Sequence, residues 1–363
     1  MSFVRIMKRA LLLVAVAAIA SIPATVWTED VRYPLTLIPP AKGPFTFPAG
    51  YQTPWEKIEI RVIEKMSPNL FVLHGSHGLD PTHPDGSGGR VMVLFGPDGI
   101  LMVDTQNRQV ADQTLKAVRS FTDAPFRVLV NTHIHSDHTG ANAFFAKQGA
   151  LIHAQENLRN EMLRPARRPD GQPAPAPDLA AIPVATYRYR PAAAGEPALT
   201  FTMNGETVDF IPMMPSHTAG DTIVRFRNAN AIYIEDFYRN FGYPYADQAN
   251  GGSIKGMLEA VDLIEKLAGA DTTLIPGHGM LVKKSDLLGY RAMLVDIMAK
   301  VRALRAQGKS LKDVIAANLT APYDKSTLGD TQQSKDRFIT EAYDEVKDFP
   351  PVVDGKRTMP SHP

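Results

Sequence analysis

Short apolar runs separated by turn residues dominate the chain from Ile58 to Thr105. The runs IEIRVIEKM, NLFVLHG and GRVMVLFGPDGILMVDT are rich in β-branched residues, and Pro97-Asp98-Gly99 separates two apolar segments. β-branched residues favour strands, and a Pro-Asp-Gly sequence favours a turn. This pattern predicts a meander of antiparallel strands.

After this region, predicted strands alternate with predicted helices. Helix-like segments cover 108–120, 139–148 and 155–163, and apolar strand-like runs cover 126–131 and 150–154. Strands that alternate with helices are typical of a layered α/β arrangement.

A second strand-rich segment follows and again gives way to helices. Its strand-like runs are LTFTM, ETVDFIPM, TIVRFR, AIYIED and, after a helix predicted from a Ser253 cap to about Leu267, TLIPGHG. Helix-like residues fill 283–306 and 310–318. Two strand-rich segments, each followed by helices, indicate two similar halves that face each other.

The segments around these halves define the predicted domain organisation. The two halves together form one domain, predicted over 57–320. Residues 25–56 carry many prolines and little periodicity, which predicts an extended N-terminal arm. Residues 165–197 are rich in Pro, Ala and Arg and are predicted to form an insertion or lid loop. Residues 321–363 are predicted to be a polar C-terminal tail.

The first 24 residues have the layout of a secretory signal peptide. A basic stretch that ends at Arg9 precedes the eleven-residue apolar run Ala10–Ala20. Such a run is too short for a transmembrane helix, which needs about 20 residues. Small residues offer cleavage after Ala20 or after Ala24. We therefore expect a periplasmic or secreted protein with no integral membrane span after signal removal. An uncleaved anchor or a buried helix is the alternative reading.

The net charge and the absence of cysteine restrict the possible partners and the possible metal ligands. The chain has 363 residues, with 39 Lys and Arg against 38 Asp and Glu, so its formal net charge is +1. This balance gives little long-range attraction to a polyanion, and we expect no nucleic-acid partner. The chain has no cysteine, so neither disulfides nor a thiolate nucleophile contribute. Any metal site must use imidazole and carboxylate ligands.

The densest group of candidate ligands follows the predicted strand FRVLV, where His133, His135, Asp137 and His138 lie within six residues. If the backbone stays extended, His133 and His135 project from the same side and reach one cation. A bend at Ser136 would turn the other two side chains toward a second cation. One short segment can therefore supply ligands to two metals.

Two histidines do not complete a tetrahedral zinc site, so further ligands must come from other parts of the chain. His217, Asp236 and His278 each lie at a predicted strand end beside a turn. Strand ends that meet at one edge can bring such donors together. The predicted ligand sets are His133, His135 and His217 for site one, and Asp137, His138 and His278 for site two, with Asp236 as a bridge.

The remaining histidines, Asp104 and Asp221 are not predicted to bind metal directly. The remaining histidines are read as surface or hydrogen-bonded residues: His74, His77, His83, His153 and His362. Asp104, which ends the predicted strand ILMV, is expected to orient His133 or His135, because metal-bound histidines often donate their second N–H to a carboxylate. A simple turn role for Asp104 is the alternative. Asp221 is assigned to turn chemistry.

The motifs NTHIHSDHTG, SHTAGD, the acid of YIED and PGHG, in this order, resemble the metallo-β-lactamase superfamily. The resemblance spans about Ile58 to Val282. It implies an α/β fold, an αββα four-layer sandwich, with a dinuclear metal site between two β-sheets. The presence of His138 and Asp236 is similar to the glyoxalase II type of site, which implies two Zn²⁺ ions, although iron fits the same ligands.

Two adjacent cations lower the pKa of a shared water toward neutrality and so provide a metal-bound hydroxide nucleophile. Asp137 is the expected catalytic residue, because it can anchor the nucleophile or pass on its proton. The predicted function is an exported metal-dependent hydrolase that cleaves an acyl bond of a small molecule: an ester, lactone, thioester or β-lactam-like amide. The alternative is an iron-dependent oxidoreductase similar to the persulfide dioxygenases of the same superfamily.

Overall fold

The computed structural model describes residues 53–76, 88–165, 172, 175–239, 242–279, 281–324 and 332–346. The predicted signal peptide (1–24) and nearly all of the predicted arm (25–56) lie outside these residues, as do His77, His83 and His362. Within the described part of the chain, no helix combines the length and the apolar character needed to cross a membrane.

Two β-sheets occupy the centre of the described residues, and sheet one contains the first seven strands. In pairing order these are β1 (Glu59–Ser67), β2 (Leu70–Ser76), β3 (Val91–Leu94), β4 (Ile100–Val103), β5 (Phe126–Val130), β6 (Leu151–Gln155) and β7 (Ala185–Tyr187). Strands β1 to β4 pair antiparallel, which confirms the predicted meander. Strands β4 to β7 pair in parallel, as strands joined by helices usually do.

Sheet two contains five strands and lies in the second half of the sequence. They are β8 (Leu199–Met203), β9 (Glu206–Pro212), β10 (Thr222–Phe226), β11 (Ala231–Glu235) and β12 (Thr273–Pro276). Strands β8 to β11 form an antiparallel meander, and β12 pairs in parallel with β11. The parallel pair puts the carboxyl ends of β11 and β12 at the same edge of the sheet.

Among the described residues, six of the eight α-helices lie where the sequence predicted helices, and the second and the last were not predicted. In chain order, the helices are α1 (Ala111–Arg119), α2 (Ser136–Thr139), α3 (Asn142–Lys147), α4 (Glu156–Leu163), α5 (Ile254–Leu267), α6 (Lys284–Ala306), α7 (Leu311–Ala316) and α8 (Gln332–Glu345). Ser253 caps α5 as predicted, because its hydroxyl oxygen accepts a hydrogen bond from the backbone N–H of Gly256 at 3.0 Å.

Three buried apolar clusters divide the fold into four layers. Strand β4 shows why: Ile100 and Met102 pack toward α1 and α3, whereas the alternating Leu101 and Val103 pack toward sheet two. Helices α5, α6 and α8 cover the other face of sheet two. This helix, sheet, sheet, helix order is the αββα sandwich that the motif resemblance implied.

Two segments differ from the sequence predictions. The predicted polar tail, 321–363, contains α8, and its apolar residues Phe338, Ile339 and Ala342 belong to the buried cluster with α5 and α6. Their helical spacing forms a stripe that the surrounding polar residues conceal in the sequence. The predicted loop, 165–197, contains β7, the edge strand of sheet one. Three residues are too few to give a strand pattern.

Candidate metal centre

The predicted ligands converge because parallel strands of both sheets end at one edge. The HxHxDH motif follows β5, while Asp236 and His278 follow β11 and β12. The backbone N–H of Thr222, at the start of β10, donates to the carbonyl of Thr132, after β5, at 2.8 Å. This bond joins the two sheets beside the motif and brings the turn that carries His217 to the same edge.

The backbone of the motif separates its side chains into two groups. Residues 132–134 bend, so the backbone from His133 to His135 is not extended, yet both side chains still reach one group. Helix α2 then begins at Ser136, with His135 as its N-cap residue. The change from bend to helix turns Asp137 and His138 toward the other group, as a bend at Ser136 was expected to do.

Group one consists of His133, His135, His217 and Asp236, each of which places one ligand atom within 4.8 Å of the others. His135 Nδ1 and His217 Nε2 lie 3.0 Å apart. Group two consists of Asp137, His138 and His278 and meets the same criterion. In group two, His278 Nε2 lies 3.3 Å from His138 Nε2 and 3.0 Å from Asp137 Oδ2.

Asp236 lies between the two groups. Its Oδ2 is 3.7 Å from His217 Nε2 in group one and 3.3 Å from His278 Nε2 in group two. Its Oδ1 is 3.7 Å from His138 Nε2. The structure thus brings together all seven residues that the sequence singled out, and Asp236 occupies the position expected of a bridge.

This arrangement fits divalent cations. Two nitrogens bonded to one tetrahedral zinc at roughly 2.0–2.1 Å lie about 3.4 Å apart, close to the spacing of the facing imidazoles. Among the described residues, the buried atoms His133 Nε2 and Asp236 Oδ1 have no hydrogen-bond partner. Buried polar atoms are normally satisfied, and a cation between these groups would satisfy both atoms.

Asp104 supports group two. Its Oδ2 lies 2.8 Å from His138 Nδ1 and also accepts a hydrogen bond from the Thr132 hydroxyl at 2.7 Å, while its Oδ1 accepts the backbone N–H of Thr132 at 2.8 Å. The carboxylate therefore directs His138 Nε2 toward the centre. The expectation that Asp104 orients His133 or His135 is wrong, because the start of α2 turns His138 back toward the end of β4.

A loop between β11 and α5, residues 242–253, supports His135 and His217 of group one. Asp247 Oδ2 lies 2.7 Å from His135 Nε2, and the carbonyl oxygen of Tyr245 lies 2.7 Å from His217 Nδ1. Both contacts leave the opposite ring nitrogen, His135 Nδ1 and His217 Nε2, facing the centre. Sequence reasoning missed this loop, since Asp247 is 112 residues from His135 and lies in no recognisable motif.

The third histidine of group one is fixed by buried neighbours. His133 Nδ1 lies 3.1 Å from the Thr132 hydroxyl and 3.6 Å from Glu235 Oε2. Glu235 also accepts the backbone N–H of Asp236 at 2.6 Å. Glu235 and Asp104 both have positive φ, 49° and 60°, which is uncommon for residues other than glycine. Such conformations persist where surrounding contacts enforce them, often at functional sites.

Glycines let the backbone approach the centre closely. A Cβ atom at Gly89 would collide with the ring of His138, and one at Gly277 would collide with Asp236 Oδ1. The backbone N–H of Arg90 donates to the carbonyl of Gly277 at 2.9 Å, which holds these two segments side by side. Group two is therefore enclosed by backbone that carries no side chain at the points of contact.

Burial keeps two histidines of group one neutral. It lowers the pKa of His217 to about 3, and burial together with the nearby His138 holds the pKa of His133 well below its usual value. Neutral imidazoles bind metals, whereas protonated ones do not.

Group two has the opposite charge balance. Burial acts to lower the pKa of His278, but Asp236 and Asp137 outweigh it and raise that pKa to about 10. Burial would raise the pKa of Asp236, yet His278 and His138 hold it well below its usual value. The two carboxylates are therefore ionised and attract positive charge, which a bound cation can supply in place of a proton.

Two ligand side chains, one in each group, are partly exposed to solvent. The side chains of Asp137 and His135 are 27% and 22% exposed, whereas those of His133 and His138 are fully buried. Tyr245 stacks nearly parallel to the His135 ring, with the ring centroids 5.9 Å apart. Asp137 and His135 are therefore the ligands through which each group meets solvent.

The sequence model of the metallo-beta-lactamase superfamily matches residues 84–278, more than half of the chain. The chain therefore belongs to the metallo-beta-lactamase superfamily, as its motifs indicated. A curated relative, the 2,4-dinitroanisole O-demethylase subunit alpha of Nocardioides sp. (strain JS1661), is 31% identical over 149 residues, which are 40% of each protein. The match thus spans 40% of that relative's length.

Solved structures show the same fold. A metallo-beta-lactamase from Pontibacter korlensis aligns with a TM-score of 0.52 and 15% identity, covering 66% of this chain and all of that one. The stereoselective inverting sec-alkylsulfatase Pisa1 from Pseudomonas sp. aligns with a TM-score of 0.57 and 15% identity, covering 81% of this chain and 52% of that one. At these identities the likeness concerns the fold.

Proposed function

We propose that this protein is a dinuclear zinc hydrolase that cleaves an acyl bond of a small molecule. The observation that carries the proposal is the convergence of five imidazoles and two carboxylates in two adjacent groups with Asp236 between them. Two bound zinc ions would lower the pKa of a shared water and polarise the acyl oxygen. Membership of a superfamily of metal-dependent enzymes, mostly hydrolases, supports this reaction class.

In this proposal, Asp137 accepts a proton from the attacking water. Burial would raise its pKa, but His138 and His278 outweigh this effect and hold the carboxylate ionised. Its side chain is also the most exposed of the group-two ligands. An ionised carboxylate at the solvent-facing side of the centre can orient the attacking water and accept its proton.

Group one defines the other side of the approach path. Asp247 fixes the ring of His135, and Tyr245 lies against that ring as an aromatic wall. A substrate that enters between Asp137 and His135 would therefore meet a carboxylate on one side and, on the other, an imidazole that stacks on an aromatic ring. Such a mixture of apolar walls and few polar groups is typical of small-molecule sites.

A substrate panel tests the proposal. Zinc-loaded protein is assayed with esters, lactones, thioesters and β-lactams, and also with secondary alkyl sulfates and an activated aryl methyl ether, because relatives carry those names. We expect acyl hydrolysis that stops when zinc is chelated and is absent in Asp137→Ala. Hydrolysis only of the sulfate or the ether would contradict the acyl assignment. Oxygen consumption with a persulfide and iron would favour the dioxygenase alternative.

We also propose that the protein is exported, and the residue pattern of 1–24 supports this proposal. Expression of the full chain in a bacterial host, followed by fractionation and N-terminal sequencing, is the test. We expect a shortened protein in the periplasm or medium that begins near Ser21 or Thr25. A full-length protein confined to the cytoplasm would contradict export.

A further inference from the structure

The C-terminal helix α8 lies outside the residues that match the superfamily, yet one of its faces contacts the loop that supports group one. The contacting residues are Ser334, Arg337, Phe338, Glu341 and Glu345. Their spacing of three or four residues places them on one side of the helix. This contact links a region with no ligands of its own to the metal centre.

Glu341 makes the central contact. Its Oε2 accepts the backbone N–H of Ala246 at 3.0 Å, and its backbone carbonyl accepts the side-chain amide of Gln248 at 3.1 Å. Ala246 lies between Tyr245, whose carbonyl faces His217, and Asp247, whose carboxylate faces His135. One carboxylate on α8 therefore fixes the segment that orients two histidines of group one.

Contacts on either side of Glu341 hold the same loop. Arg337 lies over the ring of Tyr245, with its guanidinium carbon 4.2 Å from the ring centroid. Glu345 accepts hydrogen bonds from the hydroxyl of Ser253 and the backbone N–H of Ile254, both at 2.6 Å, at the start of α5. Helix α8 thus contacts the loop at Tyr245, at Ala246 and at its last residue, Ser253.

Group two has a separate support. His138 is held by Asp104 at the end of β4, and α2 and β4 are joined by the backbone N–H of Thr105, which donates to the carbonyl of His138 at 2.8 Å. These contacts belong to sheet one and its first helices. A change in α8 therefore reaches group one through a direct chain of contacts, whereas group two keeps its own anchor.

We propose that α8 is a positioning element of the metal centre, and that Glu341 sets the zinc affinity of group one without changing that of group two. The inference rests on the proposed zinc centre. Outer contacts of this kind typically change metal affinity by 10–100-fold when they are removed. Loss of an indirect support such as Glu341 falls at the lower end of that range, about 10-fold.

The experiment measures the zinc affinity of the full-length protein by competition with a chelator. A background substitution first disables one group, so that the affinity of the other group is measured alone. His278→Ala weakens group two and leaves group one to be measured, whereas His217→Ala does the reverse. Adding Glu341→Ala should weaken binding about 10-fold in the first background and leave it unchanged in the second. Glu341→Gln, which keeps an acceptor oxygen for Ala246, should restore most of the affinity.

Asp344→Ala is the matched control, since it removes an exposed carboxylate from the same helix. It should change neither affinity. Equal weakening of both groups by Glu341→Ala, or of neither, overturns the inference. If the parent protein binds no zinc, the proposed function fails as well, so the two failures are distinguishable.

Circular dichroism and thermal melting establish whether each variant folds. Should Glu341→Ala not fold, Arg337→Ala provides a second test, because it alters a partly exposed side chain on the same face. We expect a smaller loss that is again confined to group one. Identical affinities in Arg337→Ala and the parent, in the background that isolates group one, would then overturn the inference.

Discussion

His138 of group two takes its support from sheet one, whereas two of the three histidines of group one, His135 and His217, take theirs from a loop that contacts the C-terminal helix. Asp104, which holds His138, is fully buried at the end of a central strand. Asp247, which holds His135, lies on a connecting loop. Loops open more readily than central strands, so we expect group one to lose its metal first when the fold is stressed.

The charge balance of the two groups favours metal retention in the opposite order. Burial leaves His217 and His133 neutral, while the carboxylates of Asp236 and Asp137 raise the pKa of His278. A proton therefore competes with the metal more strongly in group two than in group one. The contacts with sheet one thus favour metal retention in group two, whereas the charge balance favours it in group one.

The largest effect is expected from removing a ligand from either group. His135→Ala and Asp137→Ala should each reduce turnover to background, because each removes a ligand at the solvent-facing side of the centre. The fold should persist, since neither side chain belongs to an apolar cluster. Steady-state kinetics and circular dichroism check both points. Retained turnover in both variants would refute the site assignment.

Truncating the apolar anchor of α8 should come next. Phe338 is fully buried and stacks on Tyr243, with ring centroids 5.7 Å apart. Phe338→Ala should lower the free energy of unfolding by about 3–5 kcal/mol, the usual cost of such a cavity. Urea unfolding measures it, with the exposed Gln333→Ala as a control expected within about 0.5 kcal/mol. A loss below about 1 kcal/mol would mean that α8 is not packed as described.

Replacing the supporting carboxylates should weaken the two groups separately. Asp247→Ala should lower zinc affinity in group one and Asp104→Ala in group two, each by about 10–100-fold. Chelator competition in the His278→Ala and His217→Ala backgrounds assigns each loss to a group. If both substitutions weakened the same group, the division of support between loop and sheet would be wrong.

The smallest effect concerns pH. Burial raises the pKa of Glu341 to about 8 from an ordinary 4.5, although the backbone N–H of Ala246 and the nearby Arg337 act in the opposite direction. The folded state therefore binds this proton more strongly than the unfolded state does. The resulting stabilisation is complete below about pH 4.5 and is lost as pH rises through about 8.

Glu341→Gln cannot ionise, so it should remove this dependence. Between about pH 5 and pH 8, the free energy of unfolding of the parent protein should fall relative to that of the variant. Urea unfolding of both proteins at several pH values measures the difference, and Asp344→Gln serves as the exposed control. A difference that stays constant over this range would show that Glu341 titrates normally.

Local sequence patterns predicted the strands and the seven convergent residues well. Alternating or continuous apolar runs marked β4, β5 and β9 to β12, and each candidate ligand lay just beyond such a run. Because parallel strands end at a common edge, the position of a residue after a strand carries three-dimensional information. The superfamily motifs then pointed to the two-sheet sandwich.

The supports of the site could not be read from the sequence. Asp247 and Glu341 act through contacts with residues about 100 positions away, and their own neighbourhoods carry no motif. Asp104 was singled out, but its partner depends on where α2 begins, which a pattern does not fix to one residue. The helix α8 has only a narrow apolar stripe, so its long-range packing was hidden.

The most direct test of the account is an anomalous difference map from crystals of the full-length protein grown with zinc and measured at the zinc edge. We expect two peaks on either side of Asp236, one bonded to His133, His135 and His217 and the other to Asp137, His138 and His278. A map with no peak, with a single peak, or with peaks away from these residues would contradict the dinuclear centre.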